Sequence, residues 1–116
     1  MYFFDKLTIP AIAQQGQINA GYWQVGGLDH IAIHVLLHGT PGTSGYFLIY
    51  FNNMQAYDPQ FTLDAGGLHI STYRYPVLGP EMSINIGCNI PGSIHDGQLH
   101  IYGACCSPDW KSIRRL

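Results

Sequence analysis

The chain has 116 residues, the size of one typical domain and enough to bury a core without disulfides or metals. Charged residues make up only 10% of it, against about 25% in ordinary soluble domains. A net charge of −2 argues against a nucleic-acid partner, and no apolar run approaches the roughly 18 residues of a membrane span. We therefore expect one domain, residues 1–116, with a sparsely charged surface that favours association with partners, or else a merely neutral exterior.

Fourteen glycines and seven prolines divide the chain into short apolar segments. Such segments, bounded by turn-forming residues, are typical of β-strands. Eight are predicted, at 2–13, 17–25, 28–38, 46–52, 60–64, 68–74, 82–88 and 98–105. Helix is limited to one turn, near 54–57 or in the C-terminal tail. The prediction is an all-β fold, an antiparallel β-sandwich of about eight strands that is jelly-roll-like.

Period-two alternation within the segments predicts which side chains face the core. In 82–88 the inward set is Met82, Ile84, Ile86 and Cys88. In 68–73 we expect Leu68 and Ile70 to point inward, against His69 and Ser71. In 98–102 the expected inward residues are Leu99 and Ile101. The run 46–51 is apolar on both faces, as in a strand covered on both sides.

Three histidines, His30, His34 and His38, recur at four-residue spacing. On a helix this spacing could chelate zinc, whereas on a strand adjacent members lie about 13 Å apart and share no ion. Ile31, Ile33, Val35 and Leu37 alternate with the histidines and form an apolar set on the opposite face, and the β-branched residues among them favour a strand. We therefore expect the histidines on a semi-polar outer face and predict no metal site.

Catalytic motifs are also missing from the sequence. The glycine-rich segment 39–45 lacks the lysine of a phosphate loop and connects two strands, and there is no Gly-x-Ser-x-Gly elbow. The carboxylates lie mostly at turns, where they serve local hydrogen bonding. We expect no catalytic residues, no cofactor and no enzymatic activity.

The three cysteines, Cys88, Cys105 and Cys106, are an odd number without CxxC spacing. They are interpreted as reduced, buried small hydrophobic residues. A Cys88–Cys105 bridge is the alternative.

Aromatic residues make up 13% of the chain. Tyrosine and tryptophan rings on an outer face or loop can stack on sugar rings. The candidate stacking residues are Tyr22, Trp23, Tyr57, Tyr73 and Tyr75. The alternative is that these residues pack in the core or at subunit contacts, where Tyr and Trp are also enriched.

The two termini are candidate assembly elements. Residues 1–13 are expected to be an N-terminal arm or the first strand, and residues 107–116 a C-terminal tail. The expected assembly contacts are Tyr2, Phe3, Phe4, Trp110, Arg114 and Arg115. A signal peptide is not predicted, because Asp5, Lys6 and Pro10 interrupt any apolar core at the N-terminus.

Four stretches together resemble known folds: WQVGGLDHIAIHVLLHG, SGYFLIYFNN, GPEMSINIGC and GQLHIYGACC. Over roughly residues 17 to 106 the pattern is similar to small jelly-roll β-sandwiches in phage virion proteins, and to galactose-binding-like carbohydrate modules. In both, a segment of alternating hydrophobic residues follows a glycine and leads to a glycine-rich loop. The last strand ends in a dipeptide such as Tyr102-Gly103. The resemblance implies a fold and carries no functional residue across.

The leading hypothesis is a non-enzymatic bacteriophage virion protein, either a capsid decoration (cement) or a tail-associated subunit. Its partners would be copies of itself, major capsid proteins or tail proteins, without nucleic acid or membrane. It would be made in the host cytoplasm and reside in the virion. The alternative is a carbohydrate-binding module or lectin-like receptor-binding domain with a glycan ligand.

Overall fold

The computed structural model describes the backbone of residues 2–104 and the side chains of residues 5–104. Within these limits the chain forms nine β-strands and no helix. In chain order they are β1 (Tyr2–Ile9), β2 (Gln17–Gln24), β3 (His30–Gly39), β4 (Ser44–Phe51), β5 (Met54–Tyr57), β6 (Gln60–Thr62), β7 (Leu68–Pro76), β8 (Glu81–Cys88) and β9 (Ile94–Ala104). No helix in the described part is long and apolar enough to cross a membrane.

The strands form two antiparallel sheets. Sheet A has the order β1-β9-β3-β7, and sheet B has the order β2-β8-β4-β5, with β6 also pairing with β4. Most successive strands lie in opposite sheets, so the connections pass from one layer to the other. The predicted all-β antiparallel sandwich is confirmed, and this strand order is compatible with a jelly roll.

The core lies between the two inner faces, where period-two alternation directs the apolar side chains. The predicted inward residues of β3, β8 and β9 are confirmed, all at most 3% exposed. They are Ile31, Ile33, Val35 and Leu37 of β3, Met82, Ile84, Ile86 and Cys88 of β8, and Leu99 and Ile101 of β9. From β4 the core receives Phe47, Ile49 and Phe51.

The short strand β5 lies where the sequence allowed a helical turn, and that expectation is wrong. Asn52 and Asn53 adopt positive φ angles of 50° and 64°. Two left-handed residues form the tight turn that matches the twist of a β-hairpin. The chain therefore reverses directly and pairs Met54 with Phe51.

The expectation that Leu68 and Ile70 face the core is also wrong. Ile70 is 74% exposed, whereas His69, Tyr73 and Tyr75 on the other face of β7 are partly buried. β7 is an edge strand, and its large rings cover more core surface than two aliphatic side chains would. Side-chain size decided the facing where the alternation was ambiguous.

The N-terminal segment is a strand rather than an arm. β1 pairs with β9 in sheet A, from Tyr2 opposite Gly103 to Ile9 opposite Gly97. The strand ends before Pro10, four residues short of the prediction, since proline lacks the N–H that a ladder needs.

Candidate functional site

The three regularly spaced histidines lie on the outer face of sheet A, as predicted for a strand. His34 of β3 stands opposite His100 of β9 and Thr72 of β7. Its Nδ1 lies 3.1 Å from the Thr72 hydroxyl oxygen, and its ring meets that of Tyr102 edge-on at 4.8 Å between centroids. Among the described residues, the buried side-chain polar atom without a hydrogen-bond partner is Nε2 of His100.

The same face carries both positive side chains of the described residues. Lys6 is opposite His100, and Arg74 is opposite Ala32, which has the same facing as His34. At the other end, Nδ1 of His38 lies 3.5 Å from Oδ1 of Asp96. In the described part of the chain, no three His, Cys, Asp or Glu side chains converge in a group that could hold a metal ion.

An aliphatic patch lies beside the histidines. It consists of Leu36, Leu68 and Ile70, with Leu36 directly opposite Ile70 and Leu68 opposite His38 in the ladder between β3 and β7. An open depression of about 270 Å³ adjoins the patch, lined by Leu36, Leu68, His38 and Asp96 together with polar groups of β1 and β9. Exposed aliphatic side chains on neighbouring positions of one face, unlike isolated ones, are typical of protein contact surfaces.

The outer face of sheet B has a different chemistry. All residues of its five strands are described, and only one of them is charged. This residue is Glu81, at the start of β8. Asn19 and Asn85 lie opposite each other and share a 2.8 Å hydrogen bond between their amides. We call this surface the tyrosine face, because its rings are those of Tyr22, Tyr46 and Tyr50.

Tyr46 lies flat on the tyrosine face. Gly87 of β8 is its ladder partner, and a Cβ at that position would collide with the phenol ring. The Tyr46 hydroxyl donates to Oε1 of Gln17 at 3.3 Å, on β2 at the far side of β8. The ring therefore extends across β8 with one side on Gly87 and the other facing outward. Tyr46 is not among the stacking residues predicted from the sequence.

The five predicted stacking residues separate into two groups. Tyr22 lies on the tyrosine face, 73% exposed. The other four do not lie on an outer face as expected, since they pack against the core. Trp23 also donates its indole N–H to Oδ2 of Asp5 at 2.7 Å. Their burial follows the stated alternative for aromatic residues.

Tyr73, on the inward face of β7, packs against the core beside His69. Tyr73 Oη lies 3.0 Å from Nε2 of His69, and both rings pack near Phe61 or Phe47. Burial lowers the pKa of His69, partly offset by the charge of Asp64, and raises the pKa of Tyr73. These rings serve the core.

Cys88 is a free, buried thiol of the core. Its sulfur lies 3.3 Å from the carbonyl oxygen of Gly92, and burial raises the pKa of the thiol. A buried neutral thiol is a poor nucleophile, which suits a structural role. Cys105 and Cys106 lie outside the described residues.

The side chains of the predicted assembly contacts lie outside the described part of the structure. The side chains of Tyr2, Phe3 and Phe4 lie outside it, although the backbone of all three belongs to β1. Trp110, Arg114 and Arg115 lie outside it altogether.

Comparison with known proteins finds likeness in fold and not in sequence. No protein-family model matches the chain, and no curated protein matches it. A family GH115 4-O-methyl-α-glucuronidase with specificity for decorated arabinogalactans is similar over 86% of this chain and 16% of its own, with 15% identity and a TM-score of 0.57. VP2 of infectious bursal disease virus, in a subviral particle, is similar over 95% of this chain and 34% of its own, with 14% identity and a TM-score of 0.55.

A third similar structure is the insecticidal delta-endotoxin Cry8Ea1 of Bacillus thuringiensis, over 81% of this chain and 19% of the toxin, with 5% identity and a TM-score of 0.50. The chain thus spans about a third or less of each of these proteins. Identities this low establish a shared sandwich fold alone.

Proposed function

We propose that this chain is a non-enzymatic structural protein of a bacteriophage virion, a capsid decoration or tail-associated subunit that acts by binding other proteins. The observation that carries the proposal is the aliphatic patch of Leu36, Leu68 and Ile70, left exposed on sheet A. Burying it against a partner removes apolar surface from water, the main driving force of protein association.

The surroundings of the patch suit a protein contact. Its rim carries His34, Thr72 and Arg74 on one side and His38 with Asp96 on the other, which gives an apolar centre with a polar border. The adjoining depression of about 270 Å³ has room for a partner side chain. We infer that the partners are copies of this chain, major capsid proteins or tail proteins.

Two further observations support the proposal. Charged residues make up 10% of the chain, and sparsely charged surfaces associate readily. The similar VP2 structure is that of a subviral particle, and the likeness extends over 95% of this chain. On this proposal the protein resides in the virion, and further contacts come from residues near the two termini: Tyr2, Phe3, Phe4, Trp110, Arg114 and Arg115.

One test is the mass of the protein in solution, measured by sedimentation over a range of concentrations. The other is its co-sedimentation with purified bacteriophage particles. Ile70→Lys places a charge in the patch, so it should weaken oligomers or particle binding by tenfold or more, roughly the effect of desolvating one unpaired charge. Met54→Lys is the matched control, since Met54 is 75% exposed on the edge of sheet B. A monomer at every concentration that binds no particle, or equal effects of the two variants, would refute the proposal.

A further inference from the structure

The geometry of the tyrosine face points to a second binding function, beyond assembly: we propose that it binds a neutral, extended glycan chain, with Tyr46 as the central stacking ring. The carbohydrate ligand considered from the sequence thereby has a different site from the one expected. Tyr22 is kept, and the four core-packed aromatics are replaced by Tyr46 and Tyr50.

The orientation of Tyr46 suits stacking on a sugar ring. Its ring is held parallel to the sheet by Gly87 beneath it and by the hydrogen bond to Gln17 beyond it. Held in this way, the ring presents its electron-rich face outward, and the C–H groups of a pyranose ring pack against such a face. A ring already fixed in the binding orientation loses little conformational entropy when a ligand binds.

The polar groups around the ring suit sugar hydroxyls. The Asn19–Asn85 bond occupies one donor and one acceptor, so each amide has further groups with which to contact sugar hydroxyls. Exposed glutamines extend the set at the rim, with Gln17 on β2 and Gln60 on β6 in the same row as Tyr46. Amide groups both donate and accept, as hydroxyl groups do, so they suit a polyol ligand.

The near absence of charge on the tyrosine face favours a neutral ligand. With Glu81 the one charged residue on these strands, an anionic polysaccharide or a nucleic acid would meet no positive partner here. A protein partner is a weaker match, because Leu48 is the one aliphatic side chain in the interior of the face, in contrast to the aliphatic patch on sheet A. Rings and amides without charge favour a neutral glycan.

The size of the face indicates an oligosaccharide. Tyr22, Ser83 and Tyr50 form one row across three strands, and Tyr46 lies four residues from Tyr50 along β4. Strand spacing and rise place the Cα atoms of Tyr22 and Tyr50 about 10 Å apart across the sheet, and those of Tyr46 and Tyr50 about 14 Å apart along it. A single sugar covers one ring, whereas a chain of several sugars reaches two or three.

The experiment is calorimetric titration of the intact protein with cellohexaose, xylohexaose and mannohexaose, with hexagalacturonate as the anionic comparison. The wild-type protein should bind at least one neutral hexasaccharide more tightly than hexagalacturonate. Tyr46→Ala should weaken that binding roughly tenfold, the effect of losing one aromatic stacking partner. Gly87→Ala should weaken it as well, because the new methyl group displaces the ring without removing it.

Ile70→Lys separates this proposal from the assembly proposal. It should keep glycan binding while losing assembly, because Ile70 lies on the opposite sheet. The glycan proposal is overturned if no neutral hexasaccharide binds, if hexagalacturonate binds equally well, or if Tyr46→Ala binds like the wild type. If the wild-type protein binds no glycan and Tyr46→Ala loses its oligomers, the face is a protein contact and the proposal is overturned too.

Discussion

The phenol rings of Tyr57 and Tyr75 stack with their centroids 4.1 Å apart and their planes 13° from parallel. Tyr57 lies on β5, at the edge of sheet B, and Tyr75 lies on β7, at the edge of sheet A. The pair therefore joins an edge strand of one sheet to an edge strand of the other.

We expect this stacking to contribute to the free energy of unfolding beyond the area that the rings bury. In a double-mutant cycle with Tyr57→Leu and Tyr75→Leu, the coupling energy should be about 1 kcal/mol, as for other close aromatic pairs. Urea unfolding of the four proteins measures it. Strictly additive effects would show that the rings are neighbours without energetic coupling.

Stability should fall on acidification because of His69. Burial lowers the pKa of its imidazole below the ordinary 6.5, with Asp64 opposing the shift. Below pH 6.5 the unfolded chain takes up a proton that the folded protein takes up less readily, so the unfolded state gains stability. The stability of the folded protein that depends on a neutral His69 is fully present above pH 6.5. It is lost as the pH falls from 6.5 through the lowered pKa of the folded state.

Urea unfolding at pH 7.5 and pH 5 tests this effect. His69→Phe removes the titrating group and should show a smaller loss of stability between the two pH values than the wild type. Tyr73→Phe is the matched control, since it removes the hydroxyl group beside His69 but keeps the imidazole. An unchanged loss in His69→Phe would assign the acid sensitivity to other groups.

The faces of β3 and β8 could be predicted from the sequence because their β-branched and polar residues alternate without conflict. In β7 both faces contain large side chains, since Leu68 and Ile70 alternate with His69 and Tyr73, and the pattern alone does not rank them. What decides is that β7 is an edge strand, and strand order comes from long-range pairing that periodicity does not encode.

The tyrosine face could not be predicted from the sequence for the same reason. Tyr46 lies flat because Gly87 is its ladder partner, and this register between β4 and β8 can be seen only in the folded chain. The sequence predicts β4 to be apolar on both faces, which is correct for Phe47, Leu48 and their neighbours. The expected cover on both sides is wrong, because the outward residues of β4 are only partly buried. The sequence does not show that these outward side chains are partly buried by neighbouring residues of sheet B.

The alternation within β4 predicts opposite outcomes for two adjacent substitutions. Phe47 is 1% exposed and contacts Phe61 and Tyr73, so Phe47→Ala should cost about 3–5 kcal/mol of unfolding free energy. Leu48 lies half-buried on the tyrosine face, and Leu48→Ala should cost well below half as much. Equal losses in thermal or urea unfolding would contradict the assigned facing of β4.

The hairpin between β4 and β5 depends on two asparagines with left-handed backbone. Asn53→Gly should be neutral or slightly stabilising, because glycine adopts a φ of 64° without steric cost. Asn53→Val should cost roughly 1–2 kcal/mol, the penalty for placing a residue with a bulky Cβ in that region. Urea unfolding of both variants measures the difference, and a valine as well tolerated as glycine would argue against the turn.

Cys88 should react with thiol reagents only when the protein unfolds. Its sulfur is buried beside the Gly92 carbonyl, and its pKa is raised by that burial, so the thiolate that reacts is scarce and inaccessible. In a Cys105→Ser, Cys106→Ser background, labelling with a disulfide reagent should be slow in buffer and become rapid through the urea transition. Because the labelling rate then reports global opening, Phe47→Ala should accelerate it far more than Leu48→Ala does. Rapid labelling of the native protein would show that the end of β8 opens locally.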